Sequence, residues 1–178
     1  IQAALRVNIK DCSIAPILMG SGIHVQGFDV LLRVIDKYFP SPKELEAIGV
    51  DASNGEHFTA HYNDAATLSA RVWKTIADPF LGKYSLFKVC TGVLKPNSEI
   101  YNVNKEATEK VGKLYVLRGN TPIEVSELKS GDLGAVAKLG LTETGDSIAV
   151  RNAPILYHAP KLSIPYTYMA YSAENKAD

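Results

Sequence analysis

His57 and His61 stand four residues apart, the spacing that would put two imidazoles on one face of a helix and supply half of a zinc site. Their surroundings, "ASNGEHFTAHYNDAA", contain Asn54-Gly55 and read as loop. Neither a cysteine at ligand spacing nor an H-E-x-x-H pattern accompanies them. No metal site is expected. Gly20-Ser21-Gly22 follows an apolar run and precedes a helical pattern, the position where phosphate-binding loops occur. The run is too short for either nucleotide fingerprint, and no GK[ST] occurs in the chain. Cys90 lies in a strand pattern, where a buried thiol is inert, and Cys12 lies in a polar turn. His24 and His158 have no companions and read as surface or hydrogen-bonding histidines. Asp78 precedes a proline and reads as an Asx-type turn residue. No nucleophile with its base, carboxylate pair or metal cluster is assembled, so no catalytic residue is expected.

These residues sit on two kinds of sequence. In residues 1–42, Ile1, Ala4, Leu5 and Ile9 suggest the end of a helix, and Ile17-Leu18-Met19 reads as a short buried strand. Phe28, Leu31, Leu32, Ile35 and Phe39 follow the three-four spacing of a helical stripe, which "PSP" at 40–42 ends. Such a piece packs on another part of the chain or stands as a remnant of a larger α/β layer. Residues 43–66 are polar and acidic and read as a linker or long loop, with "ASNGEH" its most mobile point.

From Leu68 the grammar changes. Short strand-like runs recur every 8 to 15 residues between turn sequences such as "KPNS" and "TETGDS". That spacing argues for a sandwich or a barrel, and no interposed helices support a parallel sheet. An open sheet this small exposes its edges, so the expectation is a mainly β fold built on a closed antiparallel β-barrel. Trp73 and Phe87 are the expected core aromatics, with Ile100, Val111, Leu114, Val116, Leu133, Val136 and Ile148 completing the interior. Asp78-Pro79 should end one strand, because proline cannot join the ladder, and Gly82 should let the chain turn back. Gly131-Asp132 reads as a turn into a strand at 133–137.

The 178 residues suffice for one good core or one domain and part of another, and the 46% hydrophobic and 21% charged content argues against disorder. Two cysteines make no disulfide framework and fit a reducing compartment. No run approaches the ~18 apolar residues of a membrane span. Net charge is zero but uneven. Residues 71–118 hold nine Lys/Arg against four Asp/Glu, and residues 41–70 hold one basic residue against five acidic ones. The choice lies between ordinary solvated faces and an oriented electrostatic surface. Neither end resembles a natural terminus, and the chain is expected to be a piece of a longer cytoplasmic protein.

"VWKTIADPFLGKYSLFKVCTGVLKPNSEIYN", residues 72–102, resembles the start of the second domain of elongation factor G, the ribosomal translocation GTPase. The matching positions are Val72-Trp73-Lys74, Asp78-Pro79, Gly82, Thr91-Gly92, Leu94 and Tyr101-Asn102. Gly112, Gly131-Asp132 and Thr144-Gly145-Asp146-Ser147 extend the resemblance. Tetracycline-resistance protection proteins and peptide-release GTPases share this layout. Residues 15–42 are similar to the end of the family's GTPase domain, where Ser21 stands in the guanine-contacting loop and Gly22 replaces the usual alanine. Residues 159–178 look like the tail of the second domain and the opening of a third.

The resemblance implies a GTPase-domain remnant at 1–42, an acidic linker at 43–66, the barrel at 67–160, and a linker with the start of a third-domain strand at 161–178. The phosphate loop, the magnesium ligands and the base-reading motif would lie upstream, so GTP and Mg2+ belong to the parent and no cofactor to this piece. Implied partners are the small-subunit ribosomal RNA and the neighbouring domains of the same chain, with no membrane and no DNA. Docking on folded RNA needs exposed cations near phosphates rather than sequence readout. Lys83, Lys88, Lys95, Lys105, Lys110, Lys113 and Arg118 are the candidates. Two further readings stay open, a β module that binds a protein or small ligand and, with least support, a barrel enzyme.

Overall fold

A computed structural model of the chain describes residues 1–78, 82–119, 121–159, 165–170 and 172. The expected helical stripe forms α2, Phe28–Tyr38, entered through Gly27 and ended where Phe39 turns extended ahead of Pro40. A first helix, α1, spans Gln2–Lys10. A single turn of 3-10 helix follows at Pro42–Glu44, with proline at its first position and the Glu44 carboxylate accepting the Ser41 N–H at 2.8 Å. Arg6 joins the three pieces. It donates to the Lys37 carbonyl at 3.0 Å and to both Glu44 oxygens at 2.7 and 2.8 Å.

The expected strand at Ile17-Leu18-Met19 does not form. Among the described residues no strand lies beside it to complete a ladder, and Ile17 and Met19 are 92% and 94% exposed. The apolar stripe of α2 likewise contains no buried residue.

Residues 43–66 are not a structureless linker. They hold β1, Ala47–Asp51, and β2, His57–Ala60, an antiparallel hairpin whose other side is completed by a distant strand at Ile155–Tyr157. Asp51 shapes its turn by accepting the Ser53 N–H at 2.8 Å, and the Gly55 N–H returns to the Asp51 carbonyl at 2.8 Å. β1 is short, its two large apolar residues Ile48 and Val50 separated by Gly49, and it lies between acidic and polar residues, so it does not stand out from its surroundings in the sequence. Its burial comes from Ala60, Ile155, Tyr157 and Cys90, which pack with Ala47 and Phe58.

The larger sheet begins with β3, Ser69–Asp78, and β4, Gly82–Thr91, paired as a long antiparallel hairpin. The chain continues through β5, Val93–Leu94; β6, Glu99–Asn102; β7, Ala107–Lys110; β8, Leu114–Arg118; and β9, Thr121–Val125. Next come β10, Leu128–Lys129; β11, Leu133–Ala137; β12, Ser147–Ala149; and β13, Ile155–Tyr157. Eight strands form one sheet in the order β7-β6-β12-β3-β4-β11-β8-β9. β5 pairs with β10 apart from it, and β13-β1-β2 forms the third sheet.

The mainly β, antiparallel character agrees with the alternation in the sequence. The closed barrel does not: the terminal strands β7 and β9 are not paired with each other, and closure requires that last ladder. A core forms nonetheless. Val72, Phe87, Val89, Ile100, Val111, Leu114, Val136 and Ile148 pack with Leu94 and Leu128 of the separate two-stranded ladder. Burying Phe87 alone is worth about 1.5–3 kcal/mol.

Three expected core residues lie outside it. Val116 and Leu133 are 36% and 55% exposed: Val116 shares the parity of buried Leu114 but lies further along β8, and Leu133 opens β11 on the parity of Ala135, opposite to that of the core residue Val136. Trp73 is 45% exposed, because Ala70 and Val72 take the core-facing parity of β3 and Trp73 the opposite one; the β3–β4 register shift between Val72 and Lys74 also leaves it as the extra residue of a bulge. The segment expected to open a third domain falls partly outside the described residues (160–164, 171 and 173–178). Residues 165–170 are exposed and carry no strand.

Candidate nucleic-acid interface

The seven candidate cations are spread across the sheet rather than gathered. Lys110 ends the edge strand β7, opposite Glu99. Lys105 lies in the β6–β7 turn, with its ammonium 2.7 Å from Glu143. Lys95 is exposed in the turn after β5, its carbonyl accepting the Ser98 hydroxyl at 2.6 Å. Lys83 opens β4 opposite Ala77, and Lys88 lies mid-strand between Arg71 and Leu133. Lys113 precedes β8 with its ammonium 2.7 Å from Glu124, and exposed Arg118 ends β8 opposite Thr121.

Electrostatics divides this set. The Glu143 carboxylate holds Lys105 protonated above its ordinary range, and Lys105 in turn holds Glu143 below its own. Glu124 does the same for Lys113. These two charges are half-spent. Among the described residues Lys83, Lys88, Lys95, Lys110 and Arg118 have no ion pair. One cation that the sequence did not single out joins them. Arg71 lies directly across the β3–β4 ladder from Lys88, also without an ion pair among the described residues. Like charges opposite each other cost stability. Only strand register brings this pair together, so spacing along the chain could not reveal it.

The turn residues are positioned by backbone geometry. Asp78 and Gly82 face each other across the end of the β3–β4 ladder, and Gly82 has φ +81. Pro79 lies outside the described residues. In the turn before β11, Asp132 accepts the Lys129 N–H at 2.8 Å and returns its own N–H to the Lys129 carbonyl at 2.9 Å. Gly131, at φ +87, donates to the Val89 carbonyl at 2.9 Å, and a Cβ there would stand 2.5 Å from that of Pro42. This is the close approach between the main sheet and the N-terminal segment.

Ser21 exchanges two backbone hydrogen bonds with Gln26, at 3.0 and 3.1 Å, and its hydroxyl accepts the His24 N–H at 3.2 Å. Gly22 is exposed at the tip of this small loop. The loop borders a groove of about 260 Å3 whose apolar walls are Leu18, Met19, Phe28 and Leu31.

Two buried polar networks fix the scaffold. Asn102 donates to Asp146 at 2.8 Å and to Thr142 at 3.2 Å, and the Thr142 hydroxyl donates to Glu109. A hydroxyl chain runs Tyr157–Ser69–Thr91 at 2.6 Å per link and ends on the Thr67 carbonyl at 2.7 Å, tying β13 to the large sheet. Burial pushes the Tyr157 hydroxyl and the neighbouring Cys90 thiol above their ordinary ranges, so both stay neutral. His57 lies in β2, and His61 places Nδ1 3.2 Å from Glu46. Among the described residues no group of three or more His, Cys, Asp or Glu is disposed to hold a metal ion.

Residues 67–151 match the family model described as elongation factor G domain 2. The chain is also similar to a crystal structure of a protein from Thermus thermophilus, with a TM-score of 0.62 and 24% identity. That alignment covers 86% of this chain and 20% of the other, so the chain spans about a fifth of that protein's length. The shared fold therefore extends beyond the matched domain into its flanking segments.

Proposed function

We propose that this chain is the ribosome-facing part of a GTP-dependent translation factor of the elongation factor G kind, working in the cytoplasm. The observation that carries the reading is the match of residues 67–151 to elongation factor G domain 2. In this reading the chain hydrolyses nothing itself. GTP and Mg2+ are held by other segments of the parent, with Ser21 and Gly22 in the loop nearest the guanine. Residues 1–42 end the GTPase domain, and the exposed stripe of α2 packs on the rest of it. Residues 161–178 lead into a third domain. Translocation, ribosome-protection and release factors are all candidate parents.

The β scaffold holds its cations on short strands and tight turns, which suits contact with the backbone of folded RNA. Lys83, Lys88, Lys95, Lys110 and Arg118 supply charge not already engaged by a carboxylate, and Lys105 and Lys113 supply less. Few phosphates neutralised in this way give weak binding that falls steeply with salt.

Filter binding of the chain to purified small subunits, repeated over a salt series, tests the reading. Affinity should drop as salt rises, and replacing Lys95, Lys110 and Arg118 by Gln should flatten that slope by about 0.7–0.9 for each phosphate left without its cation. Tight binding indifferent to salt, or GTP turnover by the pure chain, would overturn it.

A further inference from the structure

Trp73 is the only tryptophan in the chain, and it points away from the core. Its neighbour Val72 is 1% exposed, whereas Trp73 is 45% exposed: consecutive side chains of a strand face opposite sides, and Trp73 is also the unpaired residue of the β3–β4 bulge. The bulge is held by the turn at 144–146. The Gly145 N–H donates to the Val72 carbonyl and the Val72 N–H to the Asp146 carbonyl, each at 2.8 Å. The Thr144 hydroxyl donates to Thr75 at 3.1 Å. The turn making these contacts is itself fixed, since the buried Asp146 carboxylate accepts from Asn102 and from the Glu143 N–H at 2.8 and 2.9 Å. The indole is thus presented from a rigid base.

Beside it lies a cleft of about 280 Å3 lined by Arg71, Val72, Trp73, Gly145 and His158. Arg71 and His158 are exposed, no carboxylate lines the cleft among the described residues, and Lys88 adds its charge from across the ladder. A flat aromatic surface flanked by a guanidinium and an imidazole complements a flat neutral ring joined to an anionic group. Contact with phosphates alone would need no exposed tryptophan, and a cationic peptide would meet like charge.

We propose that this cleft takes one unpaired nucleotide of RNA, its base stacked on Trp73 and its phosphate held by Arg71 and His158. The proposal rests on the RNA-contacting reading above and adds to it a specific seat for a single base.

The single tryptophan makes its emission a report on this cleft alone. The whole chain is titrated at low salt with a short unpaired RNA oligonucleotide carrying a fluorescein. Anisotropy reports binding, and tryptophan emission reports stacking. The expected result is quenching with the same midpoint as the anisotropy change, and no quenching by a blunt RNA duplex. Trp73→Ala should weaken binding about tenfold or more, while Trp73→Phe retains most of it.

Bound RNA with unchanged tryptophan emission would overturn the proposal while leaving the RNA reading intact. Equal quenching by the duplex would remove the unpaired base from it. Quenching by RNA-free ribosomal protein and not by RNA would assign the cleft to a protein. No binding in either channel would overturn both readings. The quenching measurement uses the unaltered chain, so it stands even where a variant fails to fold.

Discussion

Residues 1–42 and residues 67–151 carry comparable apolar patterns, yet they spend them differently. In the β region the apolar positions of β3, β4, β6, β8, β11 and β12 meet one another and exclude water. In the helical region Phe28, Leu31, Leu32 and Ile35 remain 38–64% exposed, and α1 is held largely through one guanidinium. Amphipathic spacing specifies a helix locally, but burial needs a second surface. The β region brings its own second surface in the β5–β10 ladder. The helical region does not, among the described residues.

The contrast can be broken first at Phe87. Phe87→Ala should cost about 3–5 kcal/mol of stability in urea unfolding, because it empties the centre of the core. A cost below about 1 kcal/mol would mean that the β region is not organised around this residue. Next in size is the polar network. Asn102→Ala leaves Asp146 and Thr142 short of a buried donor and should cost about 1–3 kcal/mol. It should also loosen the turn at 143–146, read as faster amide exchange at Val72 and Gly145.

On the helical side Leu32→Asn should change the unfolding of the β region by no more than about 0.5 kcal/mol. A larger loss would show that α2 is covered after all. The smallest effect concerns Glu44, which hydrogen bonds from Arg6 and the Ser41 N–H hold down to a pKa of about 2. A carboxylate depressed in the folded state favours that state fully above its ordinary value of 4.5, and the advantage fades as pH falls towards 2. Amide protection in α1 should therefore fall across that window while the core of the β region keeps its protection. Arg6→Gln should abolish this local pH dependence.

The long hairpin, the turn at Gly131-Asp132, α2 and most of the core were legible, since each rests on a local rule: alternation, turn residues or three-four spacing. What escaped depends on partners distant in sequence. β1 has only Ile48 and Val50 as large apolar residues, with Gly49 between them, and is paired on its two sides by β2 and β13. The strand expected at Ile17-Leu18-Met19 has the right composition and lacks a neighbour. Trp73 has the hydrophobicity of a core residue, but Ala70 and Val72 take the core-facing parity of β3 and leave it on the other face.

The candidate cations were legible only as an excess of charge. Which lysines are engaged by Glu124 and Glu143, and that Arg71 stands beside Lys88, are properties of register. Barrel closure failed for a related reason: the number and spacing of strands do not reveal whether the first and last meet.

The unclosed sheet has a consequence for how the molecule behaves in a crowd. Each rim could in principle recruit a foreign strand and seed a ribbon of many chains. At one rim Pro122 withholds an amide proton from β9. At the other, β7 is four residues long and ends in the exposed Lys110, so a strand arriving there would have to strip water from that charge. The rims are open in topology but poor templates for growth.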